Sequence, residues 1–174
     1  MRPNIGAQAG HFLTWLIQLT QAKHVLEFGS CLGYSAIFLA EALRHTNGHL
    51  ISIENNPILF AETQKNIATA GVSDIVDLKL GDAAELIKTL NGPFDLILQD
   101  ADKSMYPTML NDCIEKLRPL GILIADDTLF PPMGYPEKLS KPIHEYNQKT
   151  LSDPRLISTL LPIGDGLTIS LKKH

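Results

Sequence analysis

The sequence predicts a doubly wound α/β fold, a mainly parallel seven-stranded sheet with helices on both faces and an antiparallel C-terminal hairpin strand. Three observations predict it. Short apolar runs alternate with segments of helical periodicity through most of the 174 residues, the pattern of strands joined by crossover helices. The first apolar run ends in a glycine turn that leads into a helix. The last two runs are separated by the tight turn Gly164-Asp165-Gly166 with no helix between, so those strands should pair antiparallel.

His24 to Phe28 (HVLEF) reads as a buried strand stopped by Gly29. Gly33 to Arg44 follows as a helix, with Ile37, Ala40, Glu41 and Arg44 spread along it. His49 to Ile53 is the second strand, closed by Glu54. Pro57 to Ala70 is a helix, with Pro57 in its first turn and Gly71 just past its end. Ile75 to Leu80 alternates as a third strand, and Asp82 to Leu90 is a short helix. Phe94 to Gln99 is the fourth strand, and Tyr106 to Leu117 a helix with Pro107 near its start. Gly121 to Ala125 is wholly apolar, as a central strand should be. Thr128 to Leu139 carries three prolines and reads either as a loop over a site or as a plain connector. Ser140 to Leu151 is the last helix, and Arg155 to Leu161 and Leu167 to Leu171 are the late strands. Right-handed crossovers put the C-terminal strand ends on one edge, where ligands of such sheets bind.

Composition narrows the function classes. Fifteen basic and nineteen acidic residues give a net charge of −4, which argues against broad nucleic-acid binding and leaves a local patch open. Two cysteines, Cys31 and Cys113, make no disulfide scaffold and suit a reducing cytoplasm. No stretch approaches the ~18 apolar residues of a membrane span. The start MRPNIGAQAGHF lacks the pattern of a signal peptide.

The residues that could carry chemistry all follow strands. Gly29 and Gly33 bracket a turn between the first strand and its helix. Such a turn lets a ligand approach the backbone and offers helix N–H groups to an anion. The spacing G-x-x-x-G is not the dinucleotide fingerprint, so a purely structural turn is as good a reading. Glu54 ends the second strand and could accept both hydroxyls of a ribose, or simply be a solvated strand end. Asp82 could cap the next helix, border an adenine, or do both. Strand four ends in Gln99-Asp100-Ala101-Asp102-Lys103 and strand five in Ala125-Asp126-Asp127-Thr128. Up to four carboxylates would then share one crevice, which calls for a hard divalent cation such as Mg²⁺. Loop-capping aspartates are the alternative. Lys103 beside such a cation would have its charged form disfavoured and could act as a base; a surface lysine is the competing reading. The six histidines show no metal-ligand spacing, and Cys31, at a helix start that would favour a thiolate, has no partner pattern for a nucleophile.

The motif order resembles the cation-dependent, S-adenosylmethionine-using O-methyltransferases, the group of catechol and caffeoyl-coenzyme A methyltransferases and their bacterial relatives. The matching stretches are VLEFGSCLGYSAIFLAEAL, ISIENNP, LKLGDAAELI, GPFDLILQDADKSMYP, LRPLGILIADDTLF and LLPIGDGLTISLKK. They cover most of residues 22–173 in family order, and the DADK-x-x-Y run and PIGDGL ending are the specific ones. The resemblance implies one Rossmann-like class I methyltransferase domain over residues 1–174, acting as a homodimer on a small phenolic acceptor. It implies that Gly29, Ser30 and Ser35 hold the methionine part of S-adenosylmethionine, with Glu27 nearby. Glu54 would take the ribose, and Asp82 and Ala83 would border the adenine. Asp100, Asp126 and Asp127 would ligate the metal, with Asp100 also touching the cofactor, and Lys103 would be the base. The stretch Ile5-Gly6 and Gln8-Ala9-Gly10 looks like the family segment that adds a cofactor contact.

The expected reaction chelates two adjacent acceptor oxygens on the metal, moves the hydroxyl proton to Lys103, and transfers the sulfonium methyl to the phenolate. Where the family has Asp-Asn, this chain has Asp126-Asp127. The added charge is expected to tighten metal binding or alter its selectivity. The family also carries residues ahead of this start, so the acceptor pocket is expected to be more open or covered by another chain. Two other readings remain: methylation of a hydroxylated tRNA base, and a non-catalytic cofactor-binding protein. A nicotinamide dehydrogenase comes last, because the three-glycine loop is absent.

Overall fold

In the computed structural model, which describes residues 5–174, the chain runs through α1 (Gly6–Thr20), β1 (His24–Phe28), α2 (Tyr34–Arg44), β2 (His49–Glu54), α3 (Pro57–Thr69), β3 (Val76–Leu80) and α4 (Ala83–Thr89). It continues through β4 (Phe94–Gln99), a 3-10 turn (Lys103–Met105), α5 (Tyr106–Lys116), β5 (Leu117–Ala125), α6 (Glu137–Ser152), β6 (Leu156–Leu161) and β7 (Leu167–Lys172). The seven strands form one sheet in the order β3-β2-β1-β4-β5-β7-β6. Strands β1 to β5 pair in parallel, and β7 runs antiparallel to both β5 and β6. This is the predicted doubly wound sheet with its antiparallel C-terminal strand.

Strand alternation divides the core in two. Leu96 and Leu98 of β4 face a cluster with Leu13 and Ile17 of α1 and Leu39 and Leu43 of α2. Ile97 of β4 faces the other side, with Ile87 of α4, Cys113 of α5 and Tyr146 of α6. Burying one such aliphatic side chain is worth about 1.5–3 kcal/mol, so the register of the central strands is strongly set. Helix starts are also specified locally. Asn56 caps α3 through Ile58 and Leu59 N–H, and Asp82 caps α4 through Ala84 and Glu85 N–H.

Three differences from the sequence reading exceed one residue. Residues 6–20 form a full helix whose buried positions Ala9, Leu13, Leu16 and Ile17 keep helical spacing; Gly6 and Gly10, poor helix formers, mask it. Strand β5 begins at Leu117, not Gly121, because Leu117 pairs with Phe94 across an irregularity in the ladder. Helix α6 begins at Glu137, three residues early, and accommodates Pro142 inside it. The 128–136 segment is anchored: Phe130 is buried and stacks on Tyr135, and Thr128 and Leu129 N–H bond the carbonyls of Gly166 and Asp165. No helix among the described residues is long and apolar enough to cross a membrane.

The order of the sheet places the site. The winding reverses between β1 and β4, which are hydrogen-bonded neighbours. A crevice therefore opens beyond their C-terminal ends.

Candidate active site

Gly29 leaves β1 with φ +91°, and a Cβ there would collide with the Asp100 carbonyl. Only glycine lets the β1 turn pack against the end of β4. Glu54, at the end of β2, reaches across the turn: Oε2 accepts from Cys31 N–H at 2.8 Å and Oε1 from Asn56 N–H at 2.9 Å. Each carboxylate oxygen keeps a lone pair for a ligand. Gly29, Cys31, Glu54, Gly81, Ala83 and Asp100 line one cavity of about 280 Å³, with Met105 at its wall. A narrower cavity beside it adds Ser30, Tyr34 and Ser35. The Ser30 hydroxyl is buried without a partner.

Glu27 lies beneath the turn, fully buried, and accepts a hydrogen bond from Ser52. Burial pushes its carboxyl up to about 7, against the pull of the Ser35 and Ser52 hydroxyls. Asp82 stands apart from the cavity lining: its Oδ1 is engaged as the α4 cap, while its neighbours Gly81 and Ala83 face the cavity. A helix-start position by itself favours a thiolate at Cys31. The structure reverses this, because burial pushes the Cys31 thiol up and Glu54 and Asp100 add to the push.

The carboxylates converge because β4 and β5 are parallel and in register. Gln99 faces Ala125, so Asp100 and Asp126 leave the two strands at the same level. Asp127 takes the left-handed conformation, φ +63°, which Asp tolerates better than most residues. Carboxylate oxygens of Asp100, Asp126 and Asp127 lie within 4.8 Å of one another. Asp102 does not join them; it caps the 3-10 turn through Ser104 N–H at 2.8 Å. The crevice thus holds three carboxylates, not four.

Lys103 is buried among them. Its Nζ lies 2.8 Å from Asp127 Oδ2 and 3.2 Å from Asp100 Oδ1, and donates to the Tyr106 hydroxyl at 2.9 Å. Tyr106 in turn donates to the Gln99 carbonyl at 2.7 Å. Burial works against the Lys103 ammonium, but Tyr106, Asp100 and Asp127 outweigh it, and the lysine is held well above its ordinary range. The sequence reading expected the charged form to be disfavoured beside a cation; among its carboxylates alone it is favoured. Burial, with the neighbouring carboxylates, pushes Asp126 up to about 8; burial likewise pushes Asp100 up to about 6, with Lys103 pulling against. Fully ionised, three carboxylates and one ammonium would carry two negative charges in the crevice. All-oxygen donors with that surplus suit a hard divalent cation.

Beyond the carboxylates, a second cavity of about 230 Å³ is lined by Gln8, Asp126, Asp127 and Asp165, with Ile5 and Pro162. Asp126 and Asp127 therefore form its inner wall. Ile5 and Gln8, read from sequence as a cofactor-side segment, border this cavity. Two further residues at the site have no assigned role in the sequence reading. Tyr106 stands in the DADK-x-x-Y run and Asp165 in the PIGDGL ending and its tight turn, and neither stretch by itself says that the residue reaches Lys103 or the second cavity.

Comparison with known proteins fits this geometry. An O-methyltransferase family profile matches residues 2–173. The chain is 38% identical over 130 residues to a catechol O-methyltransferase of Niastella koreensis, covering 72% of this chain and 58% of that protein. It is 31% identical over 178 aligned positions to caffeoyl-CoA O-methyltransferase 1 of Eucalyptus globulus, covering 94% of this chain and 72% of that one. The O-methyltransferase TomG from Streptomyces achromogenes, solved in complex with SAM, superposes with a TM-score of 0.89 at 25% identity, over 99% of this chain and 82% of TomG. With the profile spanning almost the whole sequence, this chain belongs to the O-methyltransferase family.

Proposed function

We propose that the protein moves the methyl group of S-adenosylmethionine to a hydroxyl of a catechol-like phenol, with a divalent cation, Mg²⁺ by its chemistry, held by Asp100, Asp126 and Asp127. The observation that carries this reading is the position of Asp100. It lines the glycine-turn cavity and also belongs to the carboxylate set, so donor and cation would meet at one side chain. Gly29, Ser30, Ser35 and Glu54 offer the backbone approach, the unpaired hydroxyl and the carboxylate that the methionine and ribose parts would need. Gly81 and Ala83, the small residues of the cavity lining, would border the adenine, next to the Asp82 cap.

The cation, when bound, supplies positive charge that lowers the hydroxyl pKa of the acceptor from about 10. The remaining work belongs to the chain. Lys103 Nζ is the atom assigned to the acceptor's proton. It can accept one only after its own ammonium proton has passed to solvent, and Asp100 and Asp127 oppose that loss until their charge is offset. The backbone turn at Gly29 brings the donor cavity against Asp100, and the left-handed turn at Asp127 keeps that carboxylate with Asp100 and Asp126. The acidic lining of the second cavity disfavours a polyanion such as tRNA.

We also propose a cytoplasmic homodimer. The free thiols Cys31 and Cys113 and an exposed apolar stripe on α1 support it.

The test is methyl transfer to a panel of catechols with and without chelator. Asp100→Ala is expected to lower turnover at least ~10²-fold, the scale of losing one electrostatic group from such a site. Equal turnover in chelator would remove the cation from the reading.

A further inference from the structure

We propose that Asp165 makes the acceptor cavity selective by charge, favouring catechols whose side chain carries an ammonium and disfavouring those that carry a carboxylate or phosphate. This rests on reading the second cavity as the acceptor site.

The argument starts from charge. Asp126, Asp127 and Asp165 line the cavity, and no Lys or Arg does so among the described residues. Fully ionised, as a bound cation would hold them, Asp100, Asp126 and Asp127 with the Lys103 ammonium sum to two negative charges, the number one divalent cation cancels. Asp165 lies outside that set. Its partner is the neutral Tyr135 hydroxyl, which donates at 3.4 Å. One carboxylate facing the cavity therefore stays uncompensated after the cation site is filled.

The carboxylate is also held in place. Asp165 sits between Gly164, φ +60°, and Gly166, φ +98°, at the turn between β6 and β7. Leu129 N–H donates to the Asp165 carbonyl at 3.0 Å and Thr128 N–H to the Gly166 carbonyl at 3.0 Å. A Cβ at Gly166 would run into Leu129. The turn is thus pinned to the segment that leaves β5 just after Asp126 and Asp127, and the three carboxylates keep one arrangement. An acceptor held at the Asp126 and Asp127 wall would have Gln8 and Asp165 as the polar side chains of the remaining lining. An ammonium there gains a counter-charge, whereas an anion meets like charge.

The experiment uses three catechols on the same ring: one bearing a methyl group, one an aminoethyl chain and one a carboxymethyl chain. Binding to the Mg²⁺- and S-adenosylhomocysteine-loaded protein is measured by calorimetry at low salt, and methyl transfer is measured in parallel. The amine is expected to bind at least about tenfold more tightly than the carboxylate, a difference of about 1.4 kcal/mol. In Asp165→Asn that ratio falls to within about twofold, and in Asp165→Lys it inverts. Binding of the carboxylate catechol as tight as that of the amine, or a ratio unchanged in Asp165→Asn, overturns the proposal. The ordered binding without methyl transfer keeps the charge selectivity and removes the transferase reading. No binding by any catechol removes both.

Discussion

Asp126 shows what crowding carboxylates costs a fold. Its carboxyl is pushed up to about 8, by burial first and then by Asp100 and Asp127, and Asp100 up to about 6 by burial. Both would titrate near 3.9 in the unfolded chain. Between those values the folded chain binds more protons than the unfolded one, so stability without a cation falls as pH rises from about 4 to about 8. Asp126→Asn removes one buried charge. In chelator the variant is expected to be more stable than the parent at pH 8, with the difference closing towards pH 4. A gain of about 1 kcal/mol would appear as about 2–4 °C in Tm for a chain of this size. Thermal melts across that range check it, and identical pH profiles would show that Asp126 is not strained by its neighbours. At this scale the sequence was partly readable. Acids after strands four and five stood out, because each strand ends at the ligand edge. That Asp100 turns inward while Asp102 caps a turn depends on the 3-10 turn at Lys103–Met105, which no spacing rule announces. Asp165 stands in the PIGDGL ending, but its place beside Asp126 and Asp127 comes through sheet order, not through chain proximity.

At the scale of elements, the first turn of α4 separates two roles that sequence left together at Asp82. The side chain accepts from Ala84 N–H at 2.8 Å and Glu85 N–H at 3.2 Å, as a helix cap does. Asp82→Ala is expected to cost about 1 kcal/mol of stability, the typical loss for a cap. Asp82→Ser restores a capping oxygen and is expected to recover most of it, to within about 0.5 kcal/mol, because Ser caps nearly as well as Asp. Denaturant unfolding reads the stability and calorimetry with S-adenosylmethionine reads the other role. If Asp82→Ser keeps stability and also keeps donor affinity, the carboxylate serves the helix alone; a selective loss of affinity assigns it to the adenine. Elements with local punctuation were legible in the sequence: Pro57 and Gly71 bracket α3, and Gly29 ends β1. Helix α1 was not, because two glycines weaken its signal and its identity comes from burying Leu13 and Ile17 on the sheet.

For the whole molecule, helix α1 also decides what the packed sheet leaves uncovered. One face buries Leu13, Leu16 and Ile17, while Phe12, Trp15 and Leu19 follow helical spacing on another. Trp15 is 56% exposed and Leu19 63% exposed, and Phe12 stacks on Trp15 at 5.8 Å. A tryptophan and a leucine held together in water form the kind of apolar patch that marks an interface. In the proposed homodimer this stripe is the surface we expect the partner copy to cover, and an isologous contact would bring the stripe of each copy onto the other. Replacing Trp15 with Glu and Leu19 with Lys removes the patch without touching the core, so thermal stability of the folded monomer should change by less than about 0.5 kcal/mol. Light scattering over a concentration series is expected to give a dimer mass for the parent and a monomer mass for the double variant. Turnover per chain then tells whether the partner completes the acceptor cavity. A parent that stays monomeric at the highest concentration would leave α1 exposed by design of the fold and would remove the dimer from the reading.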